Sequence, residues 1–221
     1  MALLDPIRNY CERAGDGLWA EPLNALSNIA FFIAAWMLYQ AYKKRAVKDT
    51  QVAILISLLT LVGIGSTLFH TFANKLTMIF DVAPIAFFTF YYLWVALRRL
   101  VGLGELKSIA VLIGFIVIAS QMSRIPEGYR CNGSVDYFPC LGALFIIGYA
   151  LKLHHHAAAN WLLGACLCFL VSLSFRSIDY MVCPFFPLGT HFIWHSLNGL
   201  MLYLLVRAIM IAPNNIQCTL R

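Results

Sequence analysis

Five polar residues stand within or beside long apolar stretches of the sequence, at spacings that suit joint chemistry. Ser66 and His70 occur in GIGSTLFHTF, four residues apart, so a helix would carry both on one face. His191 and His195 occur in GTHFIWHSLN at the same spacing. Asp81 stands in MIFDVAP, between the two histidine segments. Ionisable side chains are rare in such apolar segments, and those that occur there usually serve a function.

These residue types are those of a catalytic zinc site. Two histidines four residues apart on one helix, with a third from a neighbouring helix, can supply three nitrogen ligands and leave the fourth position to water. The predicted ligands are His70, His191 and His195. Zinc acidifies water and polarises a carbonyl group, and Asp81 is the predicted base that takes the proton. Ser66 is predicted to donate a hydrogen bond to the developing oxyanion or to the water.

The elements that must position these residues are transmembrane helices. Of the 221 residues, 61% are hydrophobic and 12% are charged, whereas a soluble domain averages about 45–50% apolar and about 25% charged residues. This composition excludes an ordinary soluble domain and an intrinsically disordered chain. We therefore predict an all-α membrane protein whose single domain, residues 1–221, is a bundle of seven transmembrane helices. The seven apolar stretches cover residues 22–42, 52–72, 77–97, 108–122, 134–151, 157–175 and 188–211.

The distribution of lysine and arginine predicts the orientation of this bundle. With the N-terminus outside, ten of these residues fall in inner segments and six in outer segments, which favours an N-out, C-in topology. The net charge of +6 then suits loops at anionic lipid headgroups, and no basic, aromatic face typical of nucleic-acid binding occurs. In this topology the end of the second helix and the starts of the third and seventh meet at one outer level.

Each histidine also has a simpler interpretation, because a lone histidine at a helix end is more often a satisfied polar group than a ligand. The complete set at one membrane level favours metal binding instead. The consecutive residues His154, His155 and His156 point about 100° apart on a helix. They are predicted to lie in an inner loop at the headgroups, outside the site.

A second polar cluster precedes the first helix. Glu12, Asp16 and Glu21 lie within ten residues, and Glu21, Asn24 and Asn28 follow one another at helical spacing. An oxygen-rich cluster of this kind suits calcium. The alternative, which the pattern alone favours, is a helix N-terminus with favourably placed acidic residues.

Two further predictions concern the outer side. Arg176 and Asp179, three residues apart, are predicted to follow the sixth helix and to close its end with an ion pair. The alternative is a role near the site, because the seventh helix follows them. Four outer cysteines allow three disulfide pairings, which the sequence alone does not resolve. These cysteines are Cys11, Cys131, Cys140 and Cys183, whereas Cys218 is predicted on the inner side.

The motifs resemble those of the alkaline ceramidase family, within the wider CREST group of seven-helix membrane hydrolases. The matching segments are AEPLNALSN at the first helix, GIGSTLFHTF followed by Asp81, and GTHFIWH at the seventh helix. The resemblance implies zinc held by His70, His191 and His195, with supporting catalytic roles for Ser66 and Asp81. The implied activity is hydrolysis of the amide of ceramide or a related N-acyl lipid to a fatty acid and a sphingoid base.

The resemblance carries further expectations. It implies a calcium site that draws on Glu12 and Glu21. It also implies a disulfide between Cys11 and Cys183, which would leave Cys131 to pair with Cys140. The expected partners are the lipid bilayer and a membrane lipid substrate, reached from a site on the outer side of a multi-pass protein. The alternative function is a seven-helix receptor or sensor resembling the adiponectin receptors, with a mainly structural zinc site.

Overall fold

The computed structural model describes residues 3–15 and 17–212. Asp16, which the sequence places in the acidic cluster, and Cys218, predicted on the inner side, lie outside these residues. The described structure is all-helical, with 74% of the described residues in helices and none of them in a β-strand. The α-helices of the described chain are α1 Pro22–Ser27, α2 Ile29–Lys43, α3 Thr50–Phe72, α4 Lys75–Arg99, α5 Glu105–Met122, α6 Phe138–Leu153, α7 Ala159–Val182 and α8 His191–Ile211. Two short 3-10 helices, Glu127–Tyr129 and Ser134–Tyr137, precede α6.

Among the described residues, seven helical segments are long and apolar enough to cross a membrane, with α1 and α2 together forming the first. The predicted architecture of seven transmembrane helices is therefore confirmed. Consecutive helices are neighbours, and α8 closes the bundle against α2 while it also packs on α3 and α7. Helix α5 is peripheral, because Ser108 alone of its residues is buried.

Close approach between α2 and α8 depends on a small residue. A Cβ atom at Gly199 would lie 2.8 Å from both Cβ and the carbonyl carbon of Ala30, so a larger side chain would force the two helices apart. Helix α8 begins with two of the predicted metal ligands, and this contact fixes its distance from the first transmembrane segment.

The sixth transmembrane helix is longer than its apolar stretch predicts. Helix α7 continues to Val182, so Arg176 and Asp179 lie inside the helix, and the ion pair predicted between them is wrong. The reason is that both side chains find other partners. The Asp179 carboxylate accepts backbone N–H groups from neighbouring segments, and the Arg176 guanidinium packs on aromatic rings.

The N-terminal segment is fastened across one end of the bundle. The N–H of Ile7 donates to the carbonyl of Ala73 at 2.7 Å, and the N–H of Leu76 donates to the carbonyl of Leu3 at 3.0 Å. A disulfide joins Cys11 to Cys183, the residue that follows α7. The predicted Cys11–Cys183 pairing is therefore confirmed.

The pairing of Cys131 with Cys140 is wrong, because both thiols are free. Cys131 is exposed in the loop before α6. Cys140 lies in the first turn of α6, where its side chain lines a cavity inside the bundle. The two thiols therefore occupy different surroundings, one at the surface and one within the bundle.

A buried ion pair holds together the opposite end of the bundle. Asp49 caps α3 by accepting the N–H groups of Gln51 and Val52. The Arg99 guanidinium donates to Asp49 at 2.6 Å and to the carbonyls of Ile209 and Ala212 at 3.3 and 3.1 Å. This contact connects the ends of α4 and α8 to the start of α3.

Replacing Arg99 with methionine is expected to lower the thermal unfolding temperature markedly. The change leaves the Asp49 carboxylate, 3% exposed, without its cation, and breaking a buried pair costs about 3–5 kcal/mol. Lys107→Met removes one positive charge from an exposed position and is the matched control. Thermal unfolding in detergent measures both variants, and equal melting temperatures would contradict this role of Arg99.

Candidate metal centre

The three predicted histidine ligands come together at the end of the bundle that carries the N-terminal segment. His70 lies in the last turn of α3, and His191 and His195 lie in the first two turns of α8. One ligand atom of each ring lies within 4.8 Å of the others. All three side chains are buried, at 1–2% exposure. This group can hold a metal ion.

The partners of two rings determine which nitrogen faces the centre of the group. His70 Nδ1 lies 2.5 Å from a carboxylate oxygen of Glu21, and His195 Nδ1 lies 3.1 Å from the carbonyl oxygen of Asn24. An ionised carboxylate and a carbonyl can only accept, and the Ser27 hydroxyl, 2.8 Å from His195 Nδ1, itself donates to the Asn24 carbonyl, so both Nδ1 atoms carry the proton. Each Nε2 therefore presents a lone pair. Holding the metal-binding nitrogen ready through a hydrogen bond at the other one is the usual arrangement of histidine ligands.

The nitrogen atoms left over fit a metal. His70 Nε2 and His191 Nδ1 are buried and have no hydrogen-bond partner, although an unpaired buried nitrogen is costly. His195 Nε2 lies 3.5 Å from Ser66 Oγ, the outer limit of a hydrogen bond. Three imidazole nitrogens form a donor set that suits zinc.

The Glu21 carboxylate supports the metal centre from outside the three-histidine group. Its carboxylate accepts hydrogen bonds from His70 Nδ1, from Asn24 Nδ2 at 3.1 Å and from Arg13 Nε. Burial raises the pKa of Glu21, but the hydrogen bonds from His70, Arg13 and Asn24 outweigh it and hold this pKa below its usual value. The carboxylate therefore stays ionised and orients His70.

Glu12 has a different task. Its two oxygens accept the N–H groups of Leu23 and Asn24 at 2.7 and 2.8 Å, which caps the first helix from a distant residue. Burial raises the pKa of the Glu12 carboxyl. The backbone N–H groups that Glu12 accepts match the helix N-terminus interpretation, whereas the Glu21 carboxylate is engaged by side-chain donors. Calcium binding by these two residues stays a prediction.

Ser66 and Asp81 border the same cavity as His191 and His195. Ser66 lies one turn before His70 on α3. One oxygen of the Asp81 carboxylate is buried and has no hydrogen-bond partner. Four of the five residues singled out in the sequence thus line one cavity, and His70 adjoins it as a member of the three-histidine group.

The contact between α3 and α4 places Asp81 beside Ser66. A Cβ atom at Gly65 would lie 2.0 Å from the carbonyl oxygen of Phe80 and 3.2 Å from Cα of Asp81. Pro84 has no N–H to donate to the Phe80 carbonyl four residues earlier, so this carbonyl lacks its regular helical partner. Glycine on one helix and proline on the other therefore bring the α4 backbone against α3 at the residue before Asp81.

Asp179 is a positioning residue, whereas its spacing from Arg176 predicts an ion pair. The side chain is fully buried and accepts the N–H groups of Thr190 and His191 at 2.7 and 3.0 Å. It also accepts the N–H of Cys11 at 3.0 Å. It therefore fixes both the start of α8 and the N-terminal segment. Gly189, which precedes Thr190, has a φ of 64°, and a Cβ atom there would lie 2.2 Å from Asp179 Oδ1.

The N-terminal segment covers the histidines directly. The ring of Tyr10 stacks on His191 with a centroid separation of 3.7 Å, and Arg13 donates to the carbonyl of His70 at 3.2 Å. Between Tyr10 and Arg13, Cys11 forms the disulfide with Cys183. The segment thus forms part of the wall of the metal centre.

A cavity of about 200 Å³ runs from the metal centre into the bundle. Its lining on α4 extends from Met78 to Leu93 and on α8 from His191 to Leu205, about 20 Å at 1.5 Å per residue. Beyond the histidines the lining is mostly apolar. Its members there include Phe31, Val62, Ile85, Phe88, Leu93, Phe115, Leu144, Ile147, Phe169, Met201, Leu202 and Leu205.

No protein-family model matches the chain and no curated protein matches it. The resemblance to the alkaline ceramidases therefore rests on the motifs themselves.

Proposed function

We propose that this protein is a zinc-dependent amidohydrolase that cleaves the amide bond of ceramide or a related N-acyl lipid. The observation that carries this proposal is the meeting of a buried three-histidine group, a carboxylate with one unpartnered oxygen and a long apolar cavity in one place. Such a combination suits hydrolysis of a polar bond in a lipid. The products would be a fatty acid and a sphingoid base or related amine.

The residues around the cavity have distinct tasks in this reaction. Zinc held by His70, His191 and His195 supplies Lewis acidity, which polarises a carbonyl and makes water a better nucleophile. The Asp81 carboxylate accepts a proton from the attacking water and returns it to the departing amine nitrogen. The Ser66 hydroxyl donates to the oxygen that gains negative charge. The water oxygen ends on the acyl carbon, and the carbon–nitrogen bond breaks.

The cavity suits the acyl half of such a substrate. An acyl chain spans half of the ~30 Å hydrocarbon core of a bilayer, about 15 Å. This length fits within the roughly 20 Å over which the cavity lining extends along α4 and α8. With the chain in the cavity, its first carbon lies at the histidine end. The amide is then next to Ser66 and Asp81, and the amine half points toward the N-terminal segment.

Lipid mass spectrometry tests the proposed function. Purified protein is stripped of metal, divided, and reloaded with zinc or left stripped, and both halves are incubated with ceramides and other N-acyl lipids. We expect fatty acid and amine to appear in equal amounts with the zinc-loaded half alone. Absence of both products for every lipid, with one zinc per chain measured, would overturn the proposal.

Replacing Gly65 with alanine is expected to lower turnover by about 10²-fold, since misplacing a catalytic group by about 1 Å can cost that much. The added methyl group must displace the Phe80 carbonyl, and Asp81 moves with it. Zinc content should stay near one per chain, because the displaced backbone belongs to α4 and the histidines lie on α3 and α8. Gly114→Ala on α5, with nothing within 4 Å of the added atom, is the control. Equal turnover in both variants would contradict this role of Gly65.

We further propose that the end of the bundle with the metal centre lies on the outer side of the membrane. The Cys11–Cys183 disulfide supports this orientation, because disulfides persist in oxidising compartments. The free, exposed thiol of Cys131 provides the test in a Cys218→Ser background. We expect a membrane-impermeant maleimide to label it on intact cells. Labelling only after permeabilisation would reverse the orientation.

A further inference from the structure

Arg176 brings a positive charge to the cavity from within α7. Its guanidinium lies among the rings of Tyr10, Tyr137 and Trp194, with Cζ at 5.8, 5.5 and 5.1 Å from their centroids. It donates one hydrogen bond to the hydroxyl of Tyr10 at 3.3 Å. Aromatic faces stabilise a cation, but they leave most of its N–H groups without an acceptor.

The Arg176 guanidinium has no ion-pair partner within the part of the chain that the structure describes. No carboxylate of the described residues forms an ion pair with it, whereas Arg13, Arg99 and Arg130 each have one. Its Nε atom is buried and has no hydrogen-bond partner, although a guanidinium carries five N–H donors. A charge inside a transmembrane helix costs several kcal/mol, and residues that carry one usually mark a substrate or ion site. This arginine therefore has donors available for an anion that enters the cavity.

The guanidinium lies at the level of the metal centre. Trp194, whose ring is the nearest of the three to Cζ, stands between the two histidines of α8 in sequence, and its ring lies 6.3 Å from that of His191. The ring of Tyr10, which stacks on His191, also lies beside Arg176, so a single aromatic ring separates the guanidinium from the metal centre. The formally charged residues of the cavity lining are Asp81 and Arg176, so a bound divalent cation leaves the site with excess positive charge.

Resting on the hydrolase function proposed above, we propose that Arg176 binds a carboxylate on the amine side of the scissile amide. The preferred substrates are then N-acyl amino acids, in which one carbon separates the carboxylate from the amide nitrogen, and neutral ceramides are poorer ones. The acyl side is excluded as the place of this anion, because no formally charged residue lines the cavity beyond His195. A guanidinium fork and a carboxylate also match in shape, which permits two parallel hydrogen bonds.

Binding to the metal-free protein tests this assignment without turnover. The probes are N-palmitoylglycine and N-palmitoylethanolamine, which differ only by a carboxylate in place of a hydroxymethyl group. We expect the wild-type protein to bind the glycine conjugate at least about tenfold more tightly, the size of a hydrogen-bonded charge interaction. Arg176→Gln should abolish this preference, and Arg176→Lys, which keeps the charge, should retain part of it.

Arg207→Gln is the matched control. Arg207 also lies over a tryptophan, with Cζ 5.4 Å from the ring of Trp161, and its Nε also has no partner. It does not line the cavity, so its replacement should leave the preference intact. Melting temperatures of all variants separate loss of binding from loss of folding.

Two results would overturn the assignment. One is equal affinity of the wild-type protein for the two conjugates. The other is an equal loss of affinity for free palmitate and for N-palmitoylglycine in Arg176→Gln, which would place the bound carboxylate on the acyl side. Failure of the hydrolase proposal looks different, because then no N-acyl lipid is cleaved even where the binding preference is present.

Discussion

Replacing His195 with alanine is expected to abolish zinc binding and amide hydrolysis together. The variant keeps two imidazoles of the three-histidine group, which is too few for a catalytic zinc site. Turnover should fall by more than about 10³-fold, because the lost Lewis acid supplies several kcal/mol and each 1.36 kcal/mol is tenfold in rate. Elemental analysis of the purified variant measures its zinc, and lipid mass spectrometry measures its turnover.

The control for this variant is another histidine. His154 is exposed in the loop after α6, so His154→Ala should retain both zinc and turnover. His195 also contacts Ser27 Oγ at 2.8 Å, and a small loss of thermal stability is therefore expected in His195→Ala even without metal. A His195→Ala protein that keeps one zinc per chain and hydrolyses lipid would exclude this residue as a ligand.

Replacing Asp81 with asparagine is expected to separate metal binding from chemistry. Asp81 is not one of the three grouped histidine ligands, so zinc content should stay at one per chain. The amide cannot accept a proton from water as a carboxylate does, and loss of a general base typically costs about 10²–10⁴-fold in rate. The same elemental analysis and lipid assay provide the two measurements.

Asp136→Asn is the matched change for Asp81→Asn. Asp136 pairs with Arg130 at the same end of the bundle, and its side chain is 36% exposed, so its replacement should leave turnover near the wild-type rate. Wild-type turnover in Asp81→Asn would remove Asp81 from the mechanism. Loss of zinc in Asp81→Asn would instead identify Asp81 as a metal ligand.

The sequence predicts those parts of the site that depend on helical periodicity. His191 and His195 share a face because they are four residues apart, and Ser66 and His70 do so for the same reason. Hydrophobic stretches predict the seven transmembrane helices, because each must satisfy its backbone within itself in a bilayer. The alternating direction of successive helices then brings the two pairs to one end.

Contacts between distant segments are beyond such rules. Glu21 and His70 are 49 residues apart and Asp179 and Cys11 are 168 apart, and no spacing pattern connects them. Asp179 and Arg176 are three residues apart, which suggests an ion pair, yet Asp179 accepts backbone N–H groups and Arg176 packs among aromatic rings. Because these tertiary contacts accommodate both side chains within the helix, α7 runs on to Val182, past the apolar stretch from which its end was predicted.

The central claim is that water, activated in the three-histidine site, cleaves an N-acyl amide. The most direct measurement is hydrolysis of an N-acyl lipid by the zinc-loaded protein in water enriched in the heavy oxygen isotope. We predict that each released fatty acid carries one heavy oxygen in its carboxyl group, and that the metal-stripped protein releases none. Zinc-loaded protein that leaves every N-acyl lipid intact, or releases acid without the heavy isotope, would contradict the claim.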